Sequence, residues 1–339
     1  MGTVSKNRSV AASYVSGVVH YVLGLGIDSE DLFRGTGIEQ TQIQDKSARI
    51  TAESYIALFR NAEQLIADPT LGLKIGAAVK PGNYGVIGYV IMACRNFGEA
   101  LERAGRYQKL VGDIGYSDIV IENEYAEVRW ITEFVSLPDS IVEEHIASIY
   151  TYSRWITGQD KNPSAVLFQH SKQDPKPYEN YFGCPVYFSQ PFTGVRFPVS
   201  FADIALPQYD LNLCNWLDKK AAAELQAFEA GNAFIEQIKK VVRNALPDGP
   251  PTLRFVSESI GLSEKGLQRE LGSYELSYKK LLDSTRHQLA IGYIANQSIE
   301  LQELAFLLGF SEQSAFQRAF KRWTGTTPGK YRKSLVERI

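Results

Sequence analysis

The C-terminal third of the chain contains one short pattern twice, at residues 259–271 and 307–320. The copies are SIGLSEKGLQREL and LLGFSEQSAFQRAF. Each has an apolar residue, a glycine, a second apolar residue, Ser-Glu and then a stretch that contains Gln-Arg. Glycine suits the left-handed position that ends a helix and turns the chain sharply. The repeat therefore predicts two pairs of short helices, each pair joined by a tight turn.

The segment after the glycine of the second copy predicts a helix with two chemically different faces. One face is apolar and consists of Ala315, Phe316, Ala319, Phe320 and Trp323. The other face is polar and consists of Gln313, Ser314, Gln317, Arg318 and Lys321. Arginine can donate two hydrogen bonds to guanine, and glutamine can bond adenine with both amide atoms. The pattern is typical of a helix-turn-helix in which Gln313, Ser314, Gln317 and Arg318 contact bases.

The first copy predicts a similar but weaker surface. Its matching exposed positions are Lys265, Gln268 and Arg269, with Leu267 directed inward. Gly266 lowers the helix propensity, and Glu264 and Glu270 would repel phosphate. We expect the first copy to contribute less to affinity or specificity than the second.

A segment without proline, residues 277–295, lies between the two copies and predicts a single connecting helix. At 1.5 Å per residue, such a helix spans roughly 29 Å. Successive faces of the major groove of a duplex are about 34 Å apart. One chain could therefore place two recognition helices in adjacent turns of one groove.

The formal net charge of −2 conceals an uneven distribution. Residues 251–339 contain thirteen Lys and Arg against nine Asp and Glu, so this segment is +4 and residues 1–250 hold −6. A local excess of positive charge suits neutralisation of phosphates. The candidate phosphate contacts are Arg286, Lys321, Arg322, Lys330 and Arg332. The alternative is a helical bundle whose basic face is only solvated, and the repeat together with the connector favours DNA binding.

The clearest break in the chain is LPDGPP, residues 246–251, which follows a helical segment ending near Ala245. We place a domain boundary there, between domains 1–246 and 252–339. In the first domain, apolar spacing predicts helices over 10–24, 51–66, 96–111, 138–157 and 209–228. Alternation predicts two strands in 118–134 around a turn at Asn123, and further strands at 164–170 and 194–199. The expected fold is an α+β domain with helices and an antiparallel sheet, followed by an all-α domain with two helix-turn-helix motifs joined by a long helix.

Residues 252–333 resemble the DNA-binding region of AraC/XylS-type transcription regulators. The resemblance is strongest in LAFLLGFSEQSAFQRAFKRWTGTTPGKYR, the end of this segment. It implies that both recognition helices contact bases, through Lys265, Gln268 and Arg269 in the first and Gln313, Ser314, Gln317 and Arg318 in the second. The first copy departs from the family pattern, with Ser257 where the second copy has Ala305 and Glu270 where a basic residue is frequent.

The N-terminal half is similar to the arabinose-binding-like sensor domain of a subgroup of that family. The matching stretches are Ala48-Arg49-Ile50, DPTLGLKIG (68–76), PGNYGVIGY (81–89), EALERAGRYQKLVG (99–112) and YFGCPVYF (181–188). The resemblance implies effector sensing, frequent dimerisation, action as an activator and contact with RNA polymerase.

Composition and motifs argue against several other classes. Cys94, Cys184 and Cys214 are widely spaced, which supports neither a disulfide framework nor a zinc cluster. No run approaches the roughly 18 apolar residues of a membrane span, and the N-terminus has no signal peptide pattern. Glu143, Glu144 and His145 are adjacent in a predicted helix, where neighbours do not face each other, so they form no acid–base pair. We expect a cytoplasmic protein that is not an enzyme and needs no metal or cofactor.

Aromatic residues with polar tips in the N-terminal half suit a small-molecule pocket, although each one could be an ordinary core residue. The candidate pocket residues are Tyr84, Tyr89, Tyr107 and Trp130, with PGNYGVIGY as the preferred region. The helix over 209–228 has an apolar stripe that either forms a homodimer seam or covers the sheet. The sequence thus predicts a ligand-responsive regulator that binds double-stranded promoter DNA. The alternative is a small-molecule sensor whose basic C-terminal region docks on an acidic protein.

Overall fold

The computed structural model describes residues 8–122, 124–132, 134, 137–274, 276–294, 296 and 299–336. The described residues divide into two compact units, 8–227 and 228–336. We call them the sensor unit and the helical unit. No helix among the described residues is both long enough and apolar enough to cross a membrane.

The sensor unit combines helices with short strands in the following order. It contains β1 (Ser9–Ala11), α1 (Ala12–Gly24), α2 (Ser29–Phe33), α3 (Gln40–Gln44), β2 (Arg49–Thr51), α4 (Ala52–Ile66), α5 (Leu71–Ala77), α6 (Val86–Met92), α7 (Phe97–Val111), β3 (Tyr116–Glu122), β4 (Tyr125–Ile131), α8 (Asp139–Thr157), β5 (Ala165–Leu167), α9 (Lys176–Phe182), β6 (Val186–Tyr187), β7 (Thr193–Pro198) and the beginning of α10 (Leu211–Ala245). The predicted α+β composition is confirmed.

The main sheet of the sensor unit has five strands in the order β3-β4-β7-β5-β6. The pairs β3–β4, β4–β7 and β5–β7 are antiparallel, whereas β5 and β6 pair in parallel. The expected sheet is therefore antiparallel except at one edge. Along β4, Ala126, Val128 and Trp130 alternate onto the buried side. The predicted turn at Asn123 lies outside the described residues.

Helix α8 is the central element of the sensor unit, and α5 packs closely against it. The close approach depends on two glycines of α5, because a Cβ at Gly72 would lie 2.5 Å from the Ser140 carbonyl oxygen. A Cβ at Gly76 would lie 2.6 Å from the Cβ of Ala147. Since real Cβ atoms do not approach other atoms so closely, the DPTLGLKIG stretch provides a smooth helix face on which α8 rests.

The helical unit contains the end of α10 followed by six helices, and its described residues include no strand. These are α11 (Leu253–Ser259), α12 (Glu264–Ser273), α13 (Tyr278–Ile294), α14 (Leu301–Leu307), α15 (Gln313–Thr324) and α16 (Pro328–Val336). The predicted all-α domain with two helix-turn-helix motifs is confirmed. The connector α13 lies inside the predicted range 277–295, of which Ala295 is outside the described residues.

The long helix α10 extends well past the predicted range of 209–228. In its first part, Leu217 and Ala221 are buried in the core of the sensor unit, while Leu213 is exposed. The apolar stripe therefore covers this core through most of its length. In its last part, Ile238 and Val242 pack in a core with residues of α11, α12 and α13. By residue contacts the helical unit begins at Phe228, and the domain boundary at 246–251 stays a prediction.

The residues around that break pack within the helical unit. Leu246 is fully buried, and its carbonyl oxygen and Cδ2 lie 3.0 Å from the position that a Cβ at Gly309 would occupy. The segment therefore supports the turn of the second helix-turn-helix. Helix α13 serves both motifs, because Leu281 belongs to the core of the first and Ala290 and Ile294 to that of the second.

Candidate nucleic-acid interface and ligand cavity

The turn between α14 and α15 is fixed by its backbone and by one arginine of α13. Gly309 has φ of +69°, the left-handed conformation expected for it. The Phe310 amide donates to the Ala305 carbonyl at 3.0 Å, which closes the end of α14. Arg286 donates from Nε to the Leu308 carbonyl at 2.9 Å and from Nη2 to the Gly309 carbonyl at 2.7 Å. Its guanidinium also lies 4.3 Å from the centre of the Phe310 ring, so Arg286 holds the turn in place.

Helix α15 has a buried aromatic side and an exposed polar side. Phe316, Ala319 and Phe320 are buried, and the rings of Phe316 and Phe320 meet edge to face at 5.6 Å. Of the polar set, Ser314, Gln317, Arg318 and Lys321 are exposed and Gln313 is partly exposed. The structure therefore places every predicted base contact of this helix on one accessible face.

Arg318 is held by a small network at the beginning of α15. Its guanidinium donates to the Ser314 hydroxyl at 3.3 Å and to a Glu312 carboxylate oxygen at 3.4 Å. Ser314 donates to the same Glu312 oxygen at 2.6 Å. The Ser314 hydroxyl, and then Arg318, lower the pKa of Glu312 below its ordinary value. The network orients an arginine that is still 71 % exposed.

The first helix-turn-helix repeats this construction with fewer fixed contacts. Gly261 has φ of +75°, and the Ser263 side chain caps α12 by accepting from the Gly266 amide at 3.1 Å. Leu267 and Leu271 are buried against the first core. The candidate base contacts Lys265, Gln268 and Arg269 are all exposed on α12.

The five candidate phosphate contacts fall into two groups. Lys321, Arg322 and Lys330 are exposed, and Arg322 pairs with Asp283 at 2.9 Å. Arg332, by contrast, donates to the carbonyls of Ile294 and Ile299, both at 2.9 Å. Like Arg286, it therefore has a role inside the helical unit that the sequence did not predict.

The sensor unit contains a partly open cavity of about 160 Å³. Its walls come from α1, α4, α6, α7, β3, β4 and α8 and are mostly apolar. Of the predicted pocket residues, Tyr84 and Trp130 line it. Tyr89 and Tyr107 do not, because Tyr89 is 49 % exposed on α6 and the Tyr107 hydroxyl donates to the Asp218 carboxylate at 3.0 Å. The preferred region, PGNYGVIGY, contributes Tyr84 and Ile87.

A carboxyl group lies among hydroxyls in one wall of the cavity. The Tyr14 hydroxyl donates to Glu144 Oε1 at 2.7 Å, and Tyr55 also bonds this carboxyl group. Burial raises the pKa of Glu144 to about 7, against the smaller opposing effect of these two hydroxyls. Near neutral pH a large fraction of Glu144 is therefore uncharged.

A histidine in the same wall has an unused hydrogen-bonding atom. The His145 ring lies 4.8 Å from the Trp130 ring, centre to centre, at 34°. Its Nε2 is buried and has no hydrogen-bond partner among the described residues. Burial lowers the pKa of His145 to about 4, so the ring is neutral at physiological pH.

Sequence reasoning noticed the Glu143-Glu144-His145 run and assigned it no site. Glu143 lies apart from the other two, since it accepts from Tyr178 at 2.9 Å and from Lys172 at 3.1 Å, whereas Glu144 and His145 both line the cavity. The available signal was the position of polar residues on the buried stripe of α8, where Ile141 and Ile146 are also buried. A polar residue on such a stripe needs either an internal partner or a ligand.

Comparison with known proteins agrees with both parts of the structure. Residues 26–206 match the family model described as the arabinose-binding domain of AraC transcription regulator, N-terminal, and residues 256–334 match a helix-turn-helix domain. The fold and its site define a DNA-binding transcription regulator with an N-terminal ligand-binding domain, not an enzyme. The chain belongs to the AraC family of transcription regulators.

Three similar proteins illustrate the relationship. The ornithine utilization regulator of Pseudomonas aeruginosa is 24% identical over 328 residues, which cover 96% of each chain. The regulator VirS of Mycobacterium tuberculosis is 24% identical over 332 residues, 95% of this chain and 96% of that protein. Among solved structures, the transcriptional regulator CdpR from Pseudomonas aeruginosa aligns with a TM-score of 0.45 and 18% identity, over 95% of this chain and 98% of CdpR.

Proposed function

We propose that this chain is a cytoplasmic, ligand-responsive activator that binds specific promoter sequences through α12 and α15. A small molecule in the sensor unit changes the affinity for DNA or the activity of the bound protein. Such a ligand acts only through different affinities for two states of the chain. Contact with RNA polymerase and formation of a homodimer complete the proposal and rest on the family resemblance alone.

The exposed face of α15 carries the proposal. Gln317 and Arg318 are suited to adenine and guanine, respectively, and they project from a helix whose opposite face is anchored by Phe316 and Phe320. A recognition helix needs such an anchor, because base readout depends on side chains held in register with the groove. The Ser314–Glu312 network adds a defined orientation for Arg318.

The exposed basic side chains around this face supply the nonspecific part of the binding. We assign phosphate contacts to Lys321, Arg322 and Lys330, which are all exposed. Because Arg286 and Arg332 are engaged by backbone carbonyls, we assign them the maintenance of the surface. On α12, Lys265, Gln268 and Arg269 form the second base-contacting set, which we expect to be the less specific one.

The test compares Arg318→Ala with Arg34→Ala in the full chain. Arg34 is a matched control, because it is 76% exposed, is paired with Asp31 and belongs to the sensor unit. Duplexes are selected from a random library by each purified protein, and affinities for the selected sequence are measured in competitor DNA. We expect Arg318→Ala to lose about 1 to 3 kcal/mol and to relax the preference at one base position, while Arg34→Ala matches the parent protein.

Two results would contradict this proposal. If the parent protein enriched no sequence from the random library, the proposal of specific DNA binding would be contradicted. The second result is an unchanged base preference in Arg318→Ala, which would remove the assigned role of Arg318. A small-molecule screen by thermal unfolding tests the sensing part separately, since a ligand at 100 times its dissociation constant adds about 2.7 kcal/mol of stability.

A further inference from the structure

The size of the sensor cavity limits what it can hold. Its volume is about 160 Å³. An apolar protein cavity of about 150 Å³ binds a benzene molecule. A single six-membered ring with one small substituent therefore matches this volume, whereas two fused rings are larger than it.

The lining of the cavity further limits the charge of the ligand. Aliphatic and aromatic side chains such as Ile87, Val128 and Tyr152 make up most of the wall. The carboxyl group of Glu144, the imidazole of His145 and the tyrosine hydroxyls of the wall are all shifted toward their uncharged forms by burial. A site that disfavours charge on its own side chains also disfavours a charged ligand that brings no counter-ion.

One polar atom in the wall remains to be satisfied. His145 Nε2 is buried and unpartnered among the described residues, whereas Glu144 already accepts from Tyr14. In the neutral ring Nε2 is a donor in one tautomer and an acceptor in the other. A hydroxyl group matches both cases, since it can donate as well as accept.

We propose that the sensor cavity binds an uncharged one-ring molecule with a hydroxyl group, of the phenol class, whose hydroxyl pairs with His145 Nε2. The inference rests on the proposed function, because it names the ligand class of the same sensing site. The apolar ring lies against the aliphatic and aromatic wall, and the Nε2 contact selects the ligand that carries a hydroxyl group. His145 is thereby a specificity-determining residue.

The experiment measures binding of phenol and toluene to the full chain by titration calorimetry. The two probes have similar ring sizes and differ in the hydroxyl group. We expect phenol to bind about tenfold more tightly, the factor that one net hydrogen bond of ordinary strength gives. Benzoate, benzylamine and 2-naphthol serve as charge and size probes and are each expected to bind at least about tenfold more weakly than phenol.

Two variants test whether the preference for phenol over toluene depends on the Nε2 atom of His145. His145→Phe keeps an aromatic ring beside Trp130 and removes both nitrogens, so phenol and toluene should then bind within about twofold of each other. His20→Phe is the matched control, because it makes the same change at an exposed histidine of the sensor unit outside the cavity wall, and there the preference for phenol should remain. In the parent protein, the Nε2 nitrogen signal of His145 should shift on addition of phenol and not of toluene, a readout that does not depend on folding of the variants.

Several outcomes would overturn the inference. Equal binding of phenol and toluene by the parent protein would contradict the proposed contact with the ligand hydroxyl. An unshifted Nε2 signal with bound phenol would show that His145 does not make that contact. Tighter binding of benzylamine that is lost in Glu144→Gln would make the ligand a cation paired with Glu144. Duplex binding is measured on the same preparation, so a failed ligand class with intact DNA binding is distinguished from a failed regulator.

Discussion

At the scale of single residues, Glu144 is a carboxyl group whose surroundings shift its pKa. It is buried in α8, and the groups that bond it are hydroxyls, those of Tyr14 and Tyr55. Hydroxyl donors stabilise the carboxylate, but burial outweighs them, and the pKa rises from 4.5 to about 7. The carboxyl group therefore makes the stability of the sensor unit depend on pH.

The direction of this dependence follows from proton binding. Between pH 4.5 and about pH 7 the folded state holds a proton on Glu144 that the unfolded state has lost, so stability falls as the pH rises through this window. A pKa rise of this size in the folded state corresponds to about 3 kcal/mol. Glu144→Gln keeps the shape and the acceptor for Tyr14 and cannot ionise. We expect the parent protein to lose about 2 to 3 kcal/mol relative to Glu144→Gln between pH 5 and pH 8.

The measurement is a urea series at each pH, with pulse-labelled hydrogen exchange in α8 reporting on the sensor unit of the full chain. All other titrating groups cancel in the comparison with the variant. Parallel stability profiles of the two proteins would show that Glu144 has an ordinary pKa in the folded chain.

The region of the ligand cavity could be predicted from the sequence, whereas the polar residues of its wall could not. Tyr84 and Trp130 could be chosen because aromatic residues with polar tips commonly line pockets. Glu144 and His145 could not, since adjacent polar residues in a helix usually face solvent. Only tertiary packing of α8 against its neighbours shows that Glu144 and the Nε2 atom of His145 are buried.

At the scale of elements, the two glycine turns have the same backbone and different surroundings. Gly261 and Gly309 have φ of +75° and +69°. A Cβ at Gly261 would meet nothing within 4 Å, whereas one at Gly309 would lie 3.0 Å from two atoms of Leu246. The first turn therefore requires glycine for conformation only, and the second requires it for packing as well.

Alanine substitutions separate these two requirements. Gly261→Ala should cost about 1 to 2 kcal/mol, the price of a left-handed alanine. Gly309→Ala should cost at least about 1 kcal/mol more, because Leu246 must move. Pulse-labelled hydrogen exchange of α12 and α15 in a urea series measures both costs in the full chain. If both substitutions cost the same stability, the 246–249 segment moves without a measurable cost and does not support the second turn.

Elements with a strong periodic pattern were predicted, and elements defined by distant contacts were not. Helices α1, α4, α7 and α8 lie within or almost at their predicted ranges. Strands β1, β2 and β6 have only two or three residues each, too few to show alternation. The parallel pairing of β5 and β6 joins residues on either side of α9, and no local pattern encodes such a partner.

At the scale of the whole molecule, the part of the chain that we propose to bind DNA differs in net charge from the part that we propose to bind the ligand. Residues 251–339 are +4 and residues 1–250 are −6, as counted in the sequence. The exposed basic side chains assigned to phosphate, Lys321, Arg322 and Lys330, lie in the helical unit, whereas the ligand cavity is mostly apolar. Salt should therefore act on DNA binding and leave ligand binding unchanged.

Three neutralised phosphates give a slope of about −2.7 for the logarithm of duplex affinity against that of salt concentration. A rise from about 50 to about 200 mM salt then weakens duplex binding about fortyfold. Binding of an uncharged ligand to the sensor unit should change by less than about twofold over the same range, because neither partner releases counter-ions. Both affinities are measured on the full chain in the same buffers.

Lys321→Ala assigns part of this slope to one side chain. Removal of one phosphate contact should reduce the magnitude of the slope by about 0.9 and weaken all duplexes alike, without a change in base preference. Lys46→Ala removes an equal charge from an exposed position of the sensor unit and should leave the slope unchanged. If both variants reduced the slope equally, the net charge of the chain would set the salt dependence. A reduction confined to Lys321→Ala requires a contact at that position, because only a neutralised phosphate releases its counter-ion.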